Sequence, residues 1–188
     1  MREKYTYDTR KEAEVSMNST ISIGMQDFGK LIRSGAFYVD KTSFIKEWWE
    51  NQDDVTLVTR PRRFGKTLNL SMVDYFFSNQ HVDSGKLFEK LDIWEEEKYQ
   101  DLQGTFPVIF VSFAGIKAEN YATARDGIIQ VLLDLYAKYY FLLQSDVLNE
   151  QEREYFAYVR PDMSDAVAAM ALHRLAICMY RYYGKKRL

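Results

Sequence analysis

Gly65, Lys66 and Thr67 stand between two segments of different periodicity. Upstream, Val55-Thr56-Leu57-Val58-Thr59 is a β-branched apolar run with the composition of a buried strand. Downstream, Leu68, Met72, Val73 and Phe76 recur at helical spacing, which starts a helix at about Lys66. A strand, a tight loop and a helix start form the setting in which Gly-Lys-Ser/Thr binds phosphate. Amides at a helix start have no carbonyl of their own helix to bond and carry partial positive charge, which suits an anion. In that geometry Lys66 would reach the β/γ-phosphates of a nucleotide and the Thr67 hydroxyl would ligate Mg²⁺. Phe64 and Gly65 would offer backbone N–H groups, and Leu68 completes the candidate set.

The loop departs from the full phosphate-loop pattern at one position. That pattern places a glycine five residues before the second one, and here the residue is Arg60. Glycine there normally allows the sharp exit from the strand; in Arg60-Pro61-Arg62-Arg63-Phe64-Gly65, a proline of fixed φ shapes the turn instead. The bland alternative is a surface loop with a helix cap near Thr67. Arg62 and Arg63 join the candidate ATP-binding set, because arginine suits bidentate phosphate contacts. Their other reading is solvated charge, or salt bridges to Asp53 and Asp54, and Arg60 reads as structural.

Three motifs in order resemble one family. Ile23-Gly24-Met25-Gln26-Asp27-Phe28, then Phe37-Tyr38-Val39-Asp40-Lys41-Thr42, then Arg60 to Thr67 look like the predicted AAA-ATPase-like family. Its bacterial members carry an N-terminal P-loop ATPase domain, often followed by a PD-(D/E)XK nuclease-like domain. The family's own loop reads Arg-Pro-Arg-Arg where the first glycine is usual. Pro107-Val108-Ile109-Phe110-Val111-Ser112-Phe113 is similar to the family's second strand, and residues 180–186 resemble the segment before its acidic strand. The likeness runs from Ile21 to Leu188. It implies ATP and Mg²⁺ as cofactors, and nucleic acid as a partner only through a downstream nuclease-like domain. Partner proteins are not indicated. Tyr38 to Thr42 could border the adenine, the alternative being capping and packing.

Composition bounds these readings. The 188 residues are 47% hydrophobic and 15% aromatic, ample for the core of one domain. A formal net charge of −2 provides no global basic field for nucleic acid or anionic lipid. A single Cys178 excludes an internal disulfide and reads as a structural thiol of a reducing compartment. His81 and His173 are too isolated for a metal site with Cys178. No run reaches the ~18 apolar residues that span a bilayer, and no apolar leader opens the chain, so the expected location is cytoplasmic. Trp48-Trp49, Tyr75-Phe76-Phe77, Tyr139-Tyr140-Phe141 and Tyr182-Tyr183 read as core packing.

The expected domains are a mobile tail over 1–20, with Met17 an alternative start, and the N-terminal part of a P-loop domain over 21–188. Within it, a helix bearing Phe28, Leu31 and Ile32 ends at Gly35, and Asp40 caps a second with Phe44, Ile45, Trp48 and Trp49. The phosphate-loop helix reaches about Phe77. Residues 79–91 read as irregular and 94–102 as a short acidic helix. A helix over about 121–143 turns Ile128, Ile129, Leu132, Leu135 and Tyr139 inward, and another runs from about Ser164 to Tyr183, closed by Gly184.

Helices alternating with apolar runs predict an α/β fold, a P-loop NTPase with a parallel sheet flanked by helices. Only two strands, 55–59 and 108–113, are evident. The expectation is therefore a chain cut before its acidic (Walker B) strand. Hydrolysis in this class needs a carboxylate at a strand end to help hold Mg²⁺. Val131-Leu132-Leu133-Asp134 and Phe37-Tyr38-Val39-Asp40 match on paper. Asp134 reads as a helix-face charge and Asp40 as a cap, so the catalytic residues stay unassigned. The competing class is a non-enzymatic interaction module with a degenerate nucleotide loop.

Overall fold

The computed structural model describes residues 20–52, 55–59, 61 and 64–184. They divide into two compact units. One runs to Val73 and takes in Lys86–Glu96; the other comprises Asp74–Gly85 and the chain from Glu97 onward. The expected tail, Arg60, the Arg62–Arg63 pair, the Asp53–Asp54 pair and the last four residues lie outside the described residues.

In the first unit, helix α1 (Phe28–Arg33) starts at Asp27, whose Oδ1 accepts the Lys30 amide at 2.7 Å. Helix α2 (Ser43–Asn51) ends at Gln52, which takes a left-handed conformation. Helix α3 (Lys66–Phe77) begins here and ends in the second unit. Phe28, Ile45, Met72 and Phe88 are fully buried and form the centre of the first unit. The Phe28 ring packs on Phe88 with centroids 5.0 Å apart and edge-on to Tyr38 at 5.6 Å. The Phe28 amide donates to Ser71 Oγ at 3.0 Å, tying α1 to α3.

The second unit holds α4 (Glu97–Gln100), α5 (Tyr121–Lys138), α6 (Glu150–Tyr158) and α7 (Asp165–Tyr183), with a tight helical turn at Tyr140–Gln144. Reciprocal capping boxes start α5 at Asn120 with Thr123 and α6 at Asn149 with Glu152. Ser164 caps α7, and left-handed Gly184 closes it by donating to Tyr180 O at 2.9 Å. The apolar faces of α5 and α7 meet through Leu132, Tyr136, Leu175 and Met179, all buried. Ile129, Leu135 and Tyr139 point inward as the periodicity implies, whereas Ile128 is 41% exposed. The Arg153 guanidinium, on α6, donates to the carbonyls of Leu143, Ser145 and Leu148 and so closes the loop before its own helix.

The parallel sheet is absent. Among the described residues there is no strand or sheet, only one parallel bridging pair, Ser78 with Phe106. The two apolar runs fall in different units, and neither finds a ladder partner within its own. Val55 and Leu57 are 88% and 81% exposed, so the run read as a buried strand buries little. Residues 108–113 instead lie against the helices: Ile109 and Val111 pack on the core, and the Val108 carbonyl accepts the Tyr139 hydroxyl at 2.7 Å. A side chain thus takes a carbonyl that a sheet would have paired. The α/β parallel-sheet expectation is overturned, and the chain is helical.

Candidate functional site

The loop's geometry starts at Gly65. Its φ is +72°, a left-handed conformation that side chains with a β-carbon rarely adopt. Its carbonyl accepts the Asn69 amide at 2.9 Å, the first hydrogen bond of α3. The Thr67 and Leu68 amides precede that bond, so the helix gives them no acceptor, and the positive end of the helix lies at the loop. Lys66 is the first residue of α3 and is exposed; Thr67 and Leu68 are half-buried. Phe64 is 57% exposed. Phe64, Gly65, Lys66, Thr67 and Leu68 are contiguous at this helix start, and Arg62 and Arg63 lie outside the described residues.

The Tyr38 to Thr42 motif braces the same unit. Asp40 Oδ1 accepts the Thr42 amide and the Thr42 hydroxyl, both at 2.8 Å, and Oδ2 accepts the Asp92 amide at 2.7 Å. Thr42 is fully buried, and its Oγ1 accepts the Ile93 amide at 3.1 Å. Asp40 therefore closes a turn two residues before Thr42, which holds the cap position of α2. Tyr38 points its hydroxyl at Met72 Sδ, 3.2 Å away, and burial first, then the Asp40 charge, raise its pKa. Asp40 is thus not the cap of α2 that the sequence suggested, since α2 has no side-chain cap bond; the motif packs and braces the turn. Lys41 is different: its Nζ stands 3.7 Å from where a β-carbon on Gly65 would be. The sequence motif contained Lys41, but nothing in its spacing brought it to a loop 24 residues away.

Of the two carboxylates weighed as catalytic acids, Asp40 is engaged as described. Asp134 lies on exposed α5 surface, its Oδ1 accepting Gln130 Nε2 at 2.7 Å. It borders an open groove of about 310 Å³ with Phe110, Val111, Ser112, Val131, Leu135 and Lys138. One turn into α3, Asn69 Oδ1 is buried without a hydrogen-bond partner among the described residues. Among the described residues no cluster of three or more His, Cys, Asp or Glu could hold a metal ion, and no helix is long and apolar enough to cross a membrane.

A family model described as Predicted AAA-ATPase matches residues 22–183. The chain belongs to this family. It is also similar to a protein of Azotobacter chroococcum mcd 1 described as an uncharacterized protein in the vnfD 5' region. The two are 34% identical over 134 residues, covering 70% of this chain and 21% of that relative. The chain therefore spans about a fifth of the length of the curated relative it matches. No solved structure gives a significant match.

Proposed function

We propose that the loop from Phe64 to Leu68 binds ATP as its Mg²⁺ complex. The observation that carries this reading is left-handed Gly65 at the start of α3, which turns the backbone without a side chain in the way of an anion. Lys66 offsets β/γ-phosphate charge, the Thr67 amide and hydroxyl face the phosphate and its ion, and Arg62 and Arg63 add charge to the same loop. The donor set suits a magnesium ion that arrives with its nucleotide, since such ions keep waters and phosphate oxygens as ligands and need few from the protein.

ATP turnover is proposed for the intact protein, on the strength of the family. A water-orienting group and a metal-holding carboxylate remain unassigned, because Asp40 and Asp134 both have other work. The test is calorimetric titration of Mg-ATP into the protein and its Lys66→Ala variant. Loss of a charged phosphate contact costs about 2–3 kcal/mol or more, a loss of affinity of about 30-fold or greater. Equal affinity in the two proteins sinks the phosphate-loop reading in favour of an interaction module with a vestigial loop.

A further inference from the structure

We infer that Lys41 is a second phosphate-contacting lysine of this loop, and that its charge acts on the β/γ end of the nucleotide rather than on a single phosphate. The inference rests on the nucleotide reading above and deepens it. Lys41 Nζ lies 3.7 Å from the β-carbon position of Gly65, at the start of α3. A cation at the positive end of a helix is placed against the dipole, which favours anions there. Among the described residues no carboxylate stands within ion-pair distance of the Lys41 ammonium. Its neighbour Asp40 has turned both oxygens to Thr42 and to the Asp92 amide.

The backbone that carries Lys41 is held in place. The Asp40 turn fixes the residue after it, and the Lys41 carbonyl accepts the Phe44 amide at 3.0 Å as α2 begins. Thr42, next in line, is fully buried and bonded on both sides. Only the Lys41 side chain is left to reach the loop, and it reaches the one residue there that has no side chain. With Lys66 on α3 and Lys41 from the segment before α2, two ammonium groups serve one anion-binding backbone. A monophosphate offers too little charge for both, whereas a nucleoside di- or triphosphate distributes several negative oxygens between them.

The experiment titrates ATP, ADP and AMP with Mg²⁺ into the full-length protein and its Lys41→Gln, Lys41→Arg and Lys66→Ala variants. A thermal melt of each variant accompanies the titrations. Lys41→Gln is expected to melt with the wild type and to weaken ATP at least about tenfold, the size of one charged contact. Lys41→Arg recovers most of that loss, and AMP affinity changes far less than ATP affinity. Wild-type ATP affinity in Lys41→Gln, with Lys66→Ala impaired, overturns the Lys41 role and leaves the loop reading standing. Equal losses for ATP and AMP overturn the polyphosphate preference. A wild-type protein that binds no ATP overturns both readings together.

Discussion

The carboxylate of Asp40 accepts the backbone amide of Asp92 at 2.7 Å across 52 residues of chain, while its other oxygen holds Thr42. One side chain thus fixes the approach to α2 and the start of the Asp92–Glu95 turn together. Asp40→Ala strands those donors and should lower stability by about 1–3 kcal/mol in a denaturant melt. Asp40→Asn keeps an acceptor for Thr42 but not for Asp92, and should fall between wild type and alanine. An alanine variant as stable as wild type removes the bracing role.

Substitution of Thr67 tests the ion separately from the nucleotide. If its hydroxyl ligates Mg²⁺, Thr67→Ala should weaken Mg-ATP by about tenfold and leave ATP in excess chelator almost unchanged. Titrations with and without Mg²⁺ check this. A loss of the same size in both conditions assigns the hydroxyl to the phosphate.

Asp134 should prove dispensable for nucleotide. Its carboxylate is bonded to Gln130 on the same helix face, a surface pair four residues apart. Asp134→Asn should leave ATP affinity and any phosphate release at wild-type values. A variant that still binds ATP but releases no phosphate makes Asp134 the missing acid.

Gly104 tests close packing in the second unit. Its φ is +70°, its amide donates to Phe76 O at 2.8 Å, and a β-carbon there would meet Val82 Cα at 2.7 Å. Gly104→Ala should cost about 2 kcal/mol or more, combining backbone strain with a clash against backbone. Gly184→Ala has the same handedness, φ +60°, with open space around it, and should cost about 1 kcal/mol. Chemical denaturation of both variants compares them; equal losses would assign the whole effect to φ.

Alkaline pH should destabilise the second unit. Burial first, then the Glu152 charge, push the Cys178 thiol from 9.0 up to about 11, and burial pushes the Tyr139 hydroxyl from 10.0 to about 12. Both groups hold their protons more tightly folded than unfolded. Their contribution is therefore fully present below pH 9.0 and lost as the pH climbs through about 11 and 12. Denaturation midpoints measured from pH 8 to 11 should be level at first and then fall, less steeply in Cys178→Ala. A midpoint unchanged at pH 11 contradicts this.

The parts of the fold that are local in sequence were legible. Lys66 as the start of α3 and Gly184 as the end of α7 follow from short-range chemistry that the structure repeats, and the helix read from about Ser164 starts at Asp165. Helix α6 carried an equally local signal, Asn149 three residues before Glu152, and went unread because its apolar face is narrow. The sheet failed for the opposite reason. A β-branched run states only that a segment is suited to pairing, and a ladder needs a second segment brought to it by the whole fold. Residues 108–113 found helices instead. Lys41 belongs to the same class: the sequence shows its motif, and only tertiary structure shows that it meets Gly65.

The fork of Arg153 makes a loop depend on a residue that comes after it. The carbonyls of Leu143, Ser145 and Leu148 converge on one guanidinium, carried by the helix that the Asn149 box starts. The loop is thus completed by a residue that follows it, and these three bonds cannot form during synthesis until Arg153 has been added. Lysine at this position offers a single head to three carbonyls and could not close it in the same way.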